Sequence, residues 1–348
     1  MKKIVLGLIL STFLSFNVLA ESIALAPDHP SQYEVKRGDT LWDISNTFLR
    51  DPWLWPEIWH INRQIKNPHL IYPSDIIKLV YVDGEPRLTL ERSRHNTRRL
   101  SDGTIKLSPR IRASELDSVI PAIPLDAIQS FLTDSRVLAK EQLDNAPYVV
   151  AGNEKHVIMG VGDYFYARGD WSTQHQAYGV YREGSAYLDP DSKEVLGYDA
   201  KELGLGKLLK VTDDLAKTEL VRANREIRIG DRLIPTEERK VQSVFYPKSP
   251  KKGLKGKIIS VMSGVKNVAQ YDVIVINRGM RESVEQGDVF AIYRKGESLR
   301  DKYTDELIQL PSERAGMMMI FRIFEKVSYG LVLKATSSMA VFDEVREP

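Results

Sequence analysis

The sequence predicts a multidomain α+β protein: a small βααβ module, a short helical segment, and two β-rich, barrel- or sandwich-like repeated domains. Three observations predict this. The stretch from Tyr33 to Val80 reads strand, helix, helix, strand. The carboxy-terminal two-thirds alternates apolar and polar residues between Gly-Asp turns, as short strands do. "VYREGS" at 180–185 is repeated as "IYRKGE" at 292–297, which points to a duplicated unit. The boundaries expected are 1–20 for an export signal, 31–82 for the small module and 83–145 for a basic linker with a helical segment. The two β-rich repeats fall at 146–240 and 241–348.

Lys2 and Lys3 precede an apolar run from Ile4 to Phe16, and Val18-Leu19-Ala20 places small residues at a cleavage site. This is the pattern of a cleavable secretory signal, too short for a retained membrane helix, with cleavage expected after Ala20. The chain has no cysteine, which excludes disulfides, thiolate metal sites and a lipid anchor on Cys. With 49 basic and 47 acidic residues, the whole chain is no polyanion binder. Arg92, Arg94, Arg98 and Arg99 form a local basic cluster around His95, read as a solvated linker.

In the small module, Tyr33 and Val35 alternate with Glu34 and Lys36. Gly38-Asp39 makes a turn, and Thr40 with Asp43 forms a capping box at the start of a helix. Leu41, Ile44 and Phe48 give that helix one apolar face. Pro52 and Pro56 place the second helix start at Trp55 or Pro56. That helix is expected to run through Ile58, Trp59 and Ile61 to about Ile65, and "IIKLV" reads as a closing strand. Trp53, Trp55 and Trp59 are assigned first to packing, since a small core needs large side chains. Trp59 is expected in the core and Trp53 is expected to be the most exposed.

These residues resemble a LysM domain, the βααβ module that binds the N-acetylglucosamine-containing backbone of peptidoglycan and chitin. The shared marks are "Y-x-V-x-x-G-D-T-L-W-x-I", "W-x-x-I-W-x-x-N" and "N-P-x-x-I-x-P". Ser74 departs from the pattern, standing where the family usually has Gly. The resemblance implies a sugar groove formed by Gly38, Asp39, Thr40 and Leu41 with Asn67, Pro68, His69, Leu70, Ile71 and Tyr72. His69 fits a plain loop residue as well, and Tyr72 fits a core cap equally.

Residues 83–115 are polar and Arg-rich. Leu125, Ile128, Phe131 and Leu132 keep helical spacing, and Val137 to Leu143 make a second helical piece. Further on, an offset of 112 residues pairs Tyr181 with Tyr293, Gly204 with Gly316, Val211 with Ile323, Leu220 with Val332 and Asp231 with Asp343. Upstream, "GDYFYARG" from Gly162 is matched to "GDVFAIYRKG" from Gly287, which implies an insertion in the first copy around "DWSTQHQAYG". "GMMMIFRIF" at 316–324 reads as a buried strand.

No nucleophile elbow, no His-Glu-x-x-His and no phosphate-cradling loop occurs in the sequence. "GLGKLL" at 204–209 and "DPDSKE" at 189–194 read as turns. No cofactor, no metal and no catalytic activity is therefore expected. The order of export signal, single LysM, basic linker and duplicated β region resembles the bacterial type IV pilus secretin-associated protein family. That resemblance implies a periplasmic adaptor that ties an outer-membrane secretin ring, or another envelope ring protein, to peptidoglycan, without nucleic acid. The alternative is a LysM-targeted cell-wall hydrolase or hydrolase activator.

Overall fold

The computed structural model describes residues 23–58, 71–91, 135–153, 159–236, 245–262 and 266–348, with Ile123, Ile128, Phe131 and Gly264. The expected export signal at 1–20, Trp59 with the expected continuation of the second helix to about Ile65, and the Arg92–Arg99 cluster lie outside the described residues.

The amino-terminal module contains β1 (Gln32–Glu34), α1 (Leu41–Phe48), α2 (from Trp55, described to Ile58), β2 (Ile76–Val82) and β3 (Glu85–Glu91). Its sheet has the order β1-β2-β3, all antiparallel. Thr40 caps α1 in a complete capping box with Asp43, as the sequence predicts. Leu41, Ile44, Phe48, Leu49, Trp55, Ile58 and Ile77 form the core.

The strand β3 corrects the reading of 83–91 as linker. Asp83 and Gly84 take φ of 54° and 84°, and Val82 pairs with Glu85, so a two-residue hairpin turn folds β3 back on β2. An Asp-Gly pair supplies two consecutive positive φ angles, which suits the strand twist. The basic polarity downstream masked that signal.

The middle unit comprises β4 (Ser135–Leu138), α3 (Lys140–Asn145), β5 (Tyr148–Gly152), β6 (Tyr164–Arg168), β7 (Ala177–Leu188), β8 (Val195–Thr212), β9 (Leu215–Ala223) and β10 (Arg232–Pro235). The carboxy-terminal unit comprises β11 (Lys255–Val261), β12 (Asn267–Val268), β13 (Val273–Ile276), β14 (Val289–Arg294), β15 (Ser298–Arg300), β16 (Leu307–Gln309), β17 (Glu313–Ile323), β18 (Ser328–Ala335), β19 (Met339–Ala340) and β20 (Glu344–Arg346). Val137 lies in β4, paired with Asp199 of β8, and not in the helical piece that its spacing suggested. A distant strand edge, invisible to local periodicity, decides its state.

The six strands β11-β13-β18-β17-β14-β20 close a barrel. In the middle unit the order β8-β7-β10-β5-β6-β9 is closed by the β8–β9 pairing, with β4 added outside β8. The β8–β9 and β17–β18 ladders share one register at the 112-residue spacing: Gly206 faces Leu220 as Met318 faces Val332. Both bulges, Leu205/Gly206 and Leu208/Lys210, recur at Met317/Met318 and Ile320/Arg322.

The upstream alignment needs correction. Tyr164 faces Glu219 and Val273 faces Leu331, so the Gly162-Asp163 turn corresponds to Tyr271-Asp272 and not to Gly287-Asp288. The expected insertion around Trp171 is thus not required. The mismatch arose because one turn recurs along the chain. Among the described residues, and apart from the Thr40–Asp43 capping box, seven turns have an Asp carboxylate that accepts the N–H three residues before it: Asp39, Asp75, Asp163, Asp231, Asp272, Asp288 and Asp343, at 2.7–3.0 Å. The residue before each Asp has positive φ. It is glycine at Gly38, Gly162, Gly230 and Gly287, but Ser74, Tyr271 and Phe342 at the other three. Only glycine takes that region without steric cost, which for a bulky side chain is roughly 1–2 kcal/mol.

The barrel is apolar on both faces. Phe290, Ile292, Met318, Ile320, Ile274 and Val345 point inward. Their neighbours Val289, Met317, Met319, Phe321, Val273 and Val275 point outward, into a second core. That outer face is covered by Trp42 and Trp53 of the LysM module, by Ile123, Ile128 and Phe131, and by Tyr187 and Leu196 of the middle unit. Trp53 is half-buried against the barrel and is the most exposed of the described tryptophans, as its place before the helix predicts.

The turn between β7 and β8, the "DPDSKE" stretch, also rests on the barrel. Asn277 Nδ2 donates to Asp189 Oδ2 (2.8 Å), Lys257 pairs with Asp191 (2.6 Å), and Arg281 and Lys326 pair with Glu194 (3.0 and 2.8 Å). Burial pushes the Asp189 carboxyl up, but the N–H groups of Ser192 and Asp191, the Asn277 amide and the Arg278 charge outweigh it and hold it at about 2. The exposed pairs contribute little, and the buried Asp189–Asn277 bond more.

Trp42 is 3 % exposed and joins the module to the barrel. Trp42→Ala should therefore lower stability by about 3–5 kcal/mol. Urea denaturation followed by circular dichroism should show the barrel transition moving with it.

Candidate functional site

The site is built from two of the Asp-closed turns, held side by side by Val35. The Val35 N–H donates to the Asp75 carbonyl (2.9 Å), and the Ser74 N–H donates to the Val35 carbonyl (2.8 Å). One turn, Lys36–Asp39, follows β1; the other, Tyr72–Asp75, precedes β2. Ser74 takes φ of 73°, so the departure from the glycine pattern keeps the same turn.

Asp39 organises the first turn. Its Oδ2 accepts the Lys36 N–H (2.8 Å) and the Tyr33 hydroxyl (3.0 Å). The Lys36 ammonium lies 5.9 Å from the centre of the Tyr33 ring. Thr40 Oγ1 donates to Asp43 Oδ2 (2.6 Å) and accepts the Asp43 N–H (3.1 Å). Asp39 and Thr40 are thus spent largely on turn and cap. Thr40 is itself buried, so what the turn presents to a ligand is ordered backbone with the half-buried Asp39 carboxylate and Tyr33 hydroxyl at its rim.

Of the predicted site residues, the structure brings Gly38, Asp39, Thr40, Leu41, Ile71 and Tyr72 together around these turns. Asn67, Pro68, His69 and Leu70 lie outside the described residues. Leu41 and Ile71 are buried in the module core, so their side chains face no ligand and only their backbone is offered. The reason is the α1 periodicity and the need to seal a small core. Tyr72 is partly exposed, and its N–H is taken by Asp75 (3.0 Å).

This is a surface suited to a neutral polar ligand with apolar faces, such as a sugar. Among the described residues, no group of three or more His, Asp or Glu stands ready to hold a metal. None of the described helices is long and apolar enough to cross a membrane.

The geometry is that of a small strand–helix–helix–strand module with a polar two-turn surface, carried on β-rich units. Comparison with known proteins agrees: residues 33–80 match the LysM domain. A stretch of 60 residues is 38% identical to the uncharacterized protein YqbP of Bacillus subtilis (strain 168), covering 14% of this chain and 27% of YqbP. The chain thus matches about a quarter of that relative's length. LysM is a binding domain rather than a catalytic one, it occurs in extracytoplasmic proteins, and its presence points to peptidoglycan or a related glycan.

Burial first, then the Asp39 hydrogen bond and the Asp39 and Asp43 charges, push the Tyr33 phenol up to about 12. A raised phenol pKa contributes stability that is complete below the unfolded value near 10 and is lost as pH rises towards 12. Difference absorbance titration of wild type against Tyr33→Phe should show this late phenol. Asp39→Asn should bring its titration back towards 10.

Proposed function

We propose that this protein is a non-catalytic, periplasmic peptidoglycan-binding adaptor. Its LysM module holds N-acetylglucosamine-containing glycan through the turns at Gly38–Leu41 and 67–72. Its β-rich units contact an envelope machine, the outer-membrane secretin ring of a type IV pilus. The observation that carries the reading is the LysM match over residues 33–80, with its capped Gly-Asp-Thr-Leu turn. The partner assignment rests on the resemblance of the whole chain to the secretin-associated family.

Single LysM contacts are shallow. Attachment of many copies to one ring raises effective concentration and converts weak grips into firm anchoring. No catalytic constellation is needed for that role. In the hydrolase reading, the module would only target a catalyst carried elsewhere.

Replacing Asp39 and Thr40 together by Ala should weaken co-sedimentation with purified sacculi, while the β units keep their circular dichroism. Removal of the cap alone lowers stability by about 1 kcal/mol, too little to unfold the chain. Unchanged sedimentation would discard the groove. A clearing band at the mature mass in a peptidoglycan zymogram would favour the hydrolase over the adaptor.

A further inference from the structure

Two of the seven Asp-closed turns carry an exposed aromatic where the device otherwise uses glycine or serine. Tyr271 has φ of 68° and is 42% exposed; Phe342 has φ of 78° and is 62% exposed. In the middle unit the corresponding residues are Gly162 and Gly230. The correspondence extends to the hydrogen bonds. Gly162 N–H donates to the Leu220 carbonyl (2.9 Å), and Tyr271 N–H donates to the Val332 carbonyl (2.7 Å). The turn therefore folds with glycine, and the second copy holds a strained tyrosine that the backbone does not require. Such strain under a side chain that is 42% exposed points to a functional position.

The place of Tyr271 says which function. The Lys334 ammonium contacts Asn46 Oδ1 of α1 (3.0 Å). Lys334 lies two residues beyond Val332 in β18, and Asn46 lies one helical turn beyond Asp43 in α1. Following both elements back leads from the Lys334–Asn46 contact to Tyr271 on the barrel and to Asp43 on the LysM module. The two groups sense each other: burial first, then the Asp43 charge, raise the Tyr271 phenol pKa. Asp43 is hydrogen-bonded to Thr40 of the sugar-binding turn (2.6 Å). The Ala269–Asp272 turn is closed at both ends, by Asp272 Oδ2 on the Ala269 N–H (2.8 Å) and by Gln270 Nε2 on the Leu333 carbonyl (3.0 Å). The ring is thus held on a stiff support beside the site.

We infer that Tyr271 is an additional sugar-binding residue, an aromatic platform on the barrel against which a β-1,4-linked N-acetylglucosamine chain stacks after leaving the LysM turns. The inference rests on the glycan-binding reading above. Sugar rings present C–H faces that pack on aromatic rings, and a tyrosine adds a hydroxyl for the polar edge. The site is composite. Short oligomers fill the LysM turns alone, and only longer ones reach the barrel.

The test uses the full chain and isothermal titration with chitotriose and chitohexaose. Tyr271→Gly should keep the wild-type melting temperature or raise it, since glycine suits the turn. Its affinity for chitotriose should stay unchanged, while that for chitohexaose should fall by roughly three- to tenfold, the size of one aromatic contact. Tyr271→Phe should retain most of the chitohexaose affinity. Equal affinity of wild type and Tyr271→Gly for chitohexaose overturns the platform. Equal losses for both oligomers overturn it too, because Tyr271 would then act by positioning the module. If wild type binds neither oligomer, the glycan reading itself fails, separately from the role of Tyr271.

Discussion

The outer face of the carboxy-terminal barrel is the constraint on which the rest of the structure depends. Strands β13, β17 and β18 carry large apolar side chains on both sides, so the barrel interior accounts for only half of them. A sheet that is apolar on both faces must be covered, since burial of each such side chain is worth about 1.5–3 kcal/mol. The LysM module and the β7–β8 hairpin provide the cover. This explains the tryptophans: Trp55 fills the core of its own module, while Trp42 and Trp53 fill the junction with the barrel. The β7–β8 turn then fixes the orientation through a buried Asp189–Asn277 bond and a ring of ion pairs. In the proposed adaptor, this junction passes a pull on the glycan to the β units through packed side chains.

A single local device builds both scaffold and site. An Asp carboxylate closing on the N–H three residues earlier, with positive φ just before it, starts strands throughout the chain. In the LysM module two such turns meet at Val35 and leave ordered backbone at the surface. The candidate sugar site is therefore scaffold geometry with its polar atoms arranged outward, and it needs no titratable group at neutral pH. The same economy makes exceptions informative. Where a turn that works with glycine holds an exposed aromatic, folding does not explain the side chain.

Much of this was legible in the residues. The α1 cap, the apolar face of Leu41, Ile44 and Phe48, and a strand buried from Gly316 to Phe321 follow from local rules that operate within one turn or one strand. The 112-residue spacing survived because the two ladders share register and bulges, which fixes which residues can be apolar. Local reasoning failed where a partner distant in sequence decided the outcome. Val137 became a strand because β8 offered an edge, and Leu41 and Ile71 turned inward because the module must seal its core. Trp42, read only as part of the module, was covered by a barrel more than two hundred residues away.

The sequence by itself determined the α1 cap, the apolar faces and the 112-residue correspondence, because each depends on patterns of spacing along the chain, and its motifs carried the resemblance of the amino-terminal module to LysM. Which faces meet was decided only by the tertiary structure. The run Gly316 to Phe321 announces a strand buried on both sides, yet nothing in it names the covering elements. That choice depends on complementary shape between surfaces far apart in sequence, and such complementarity exists only once the chain has folded.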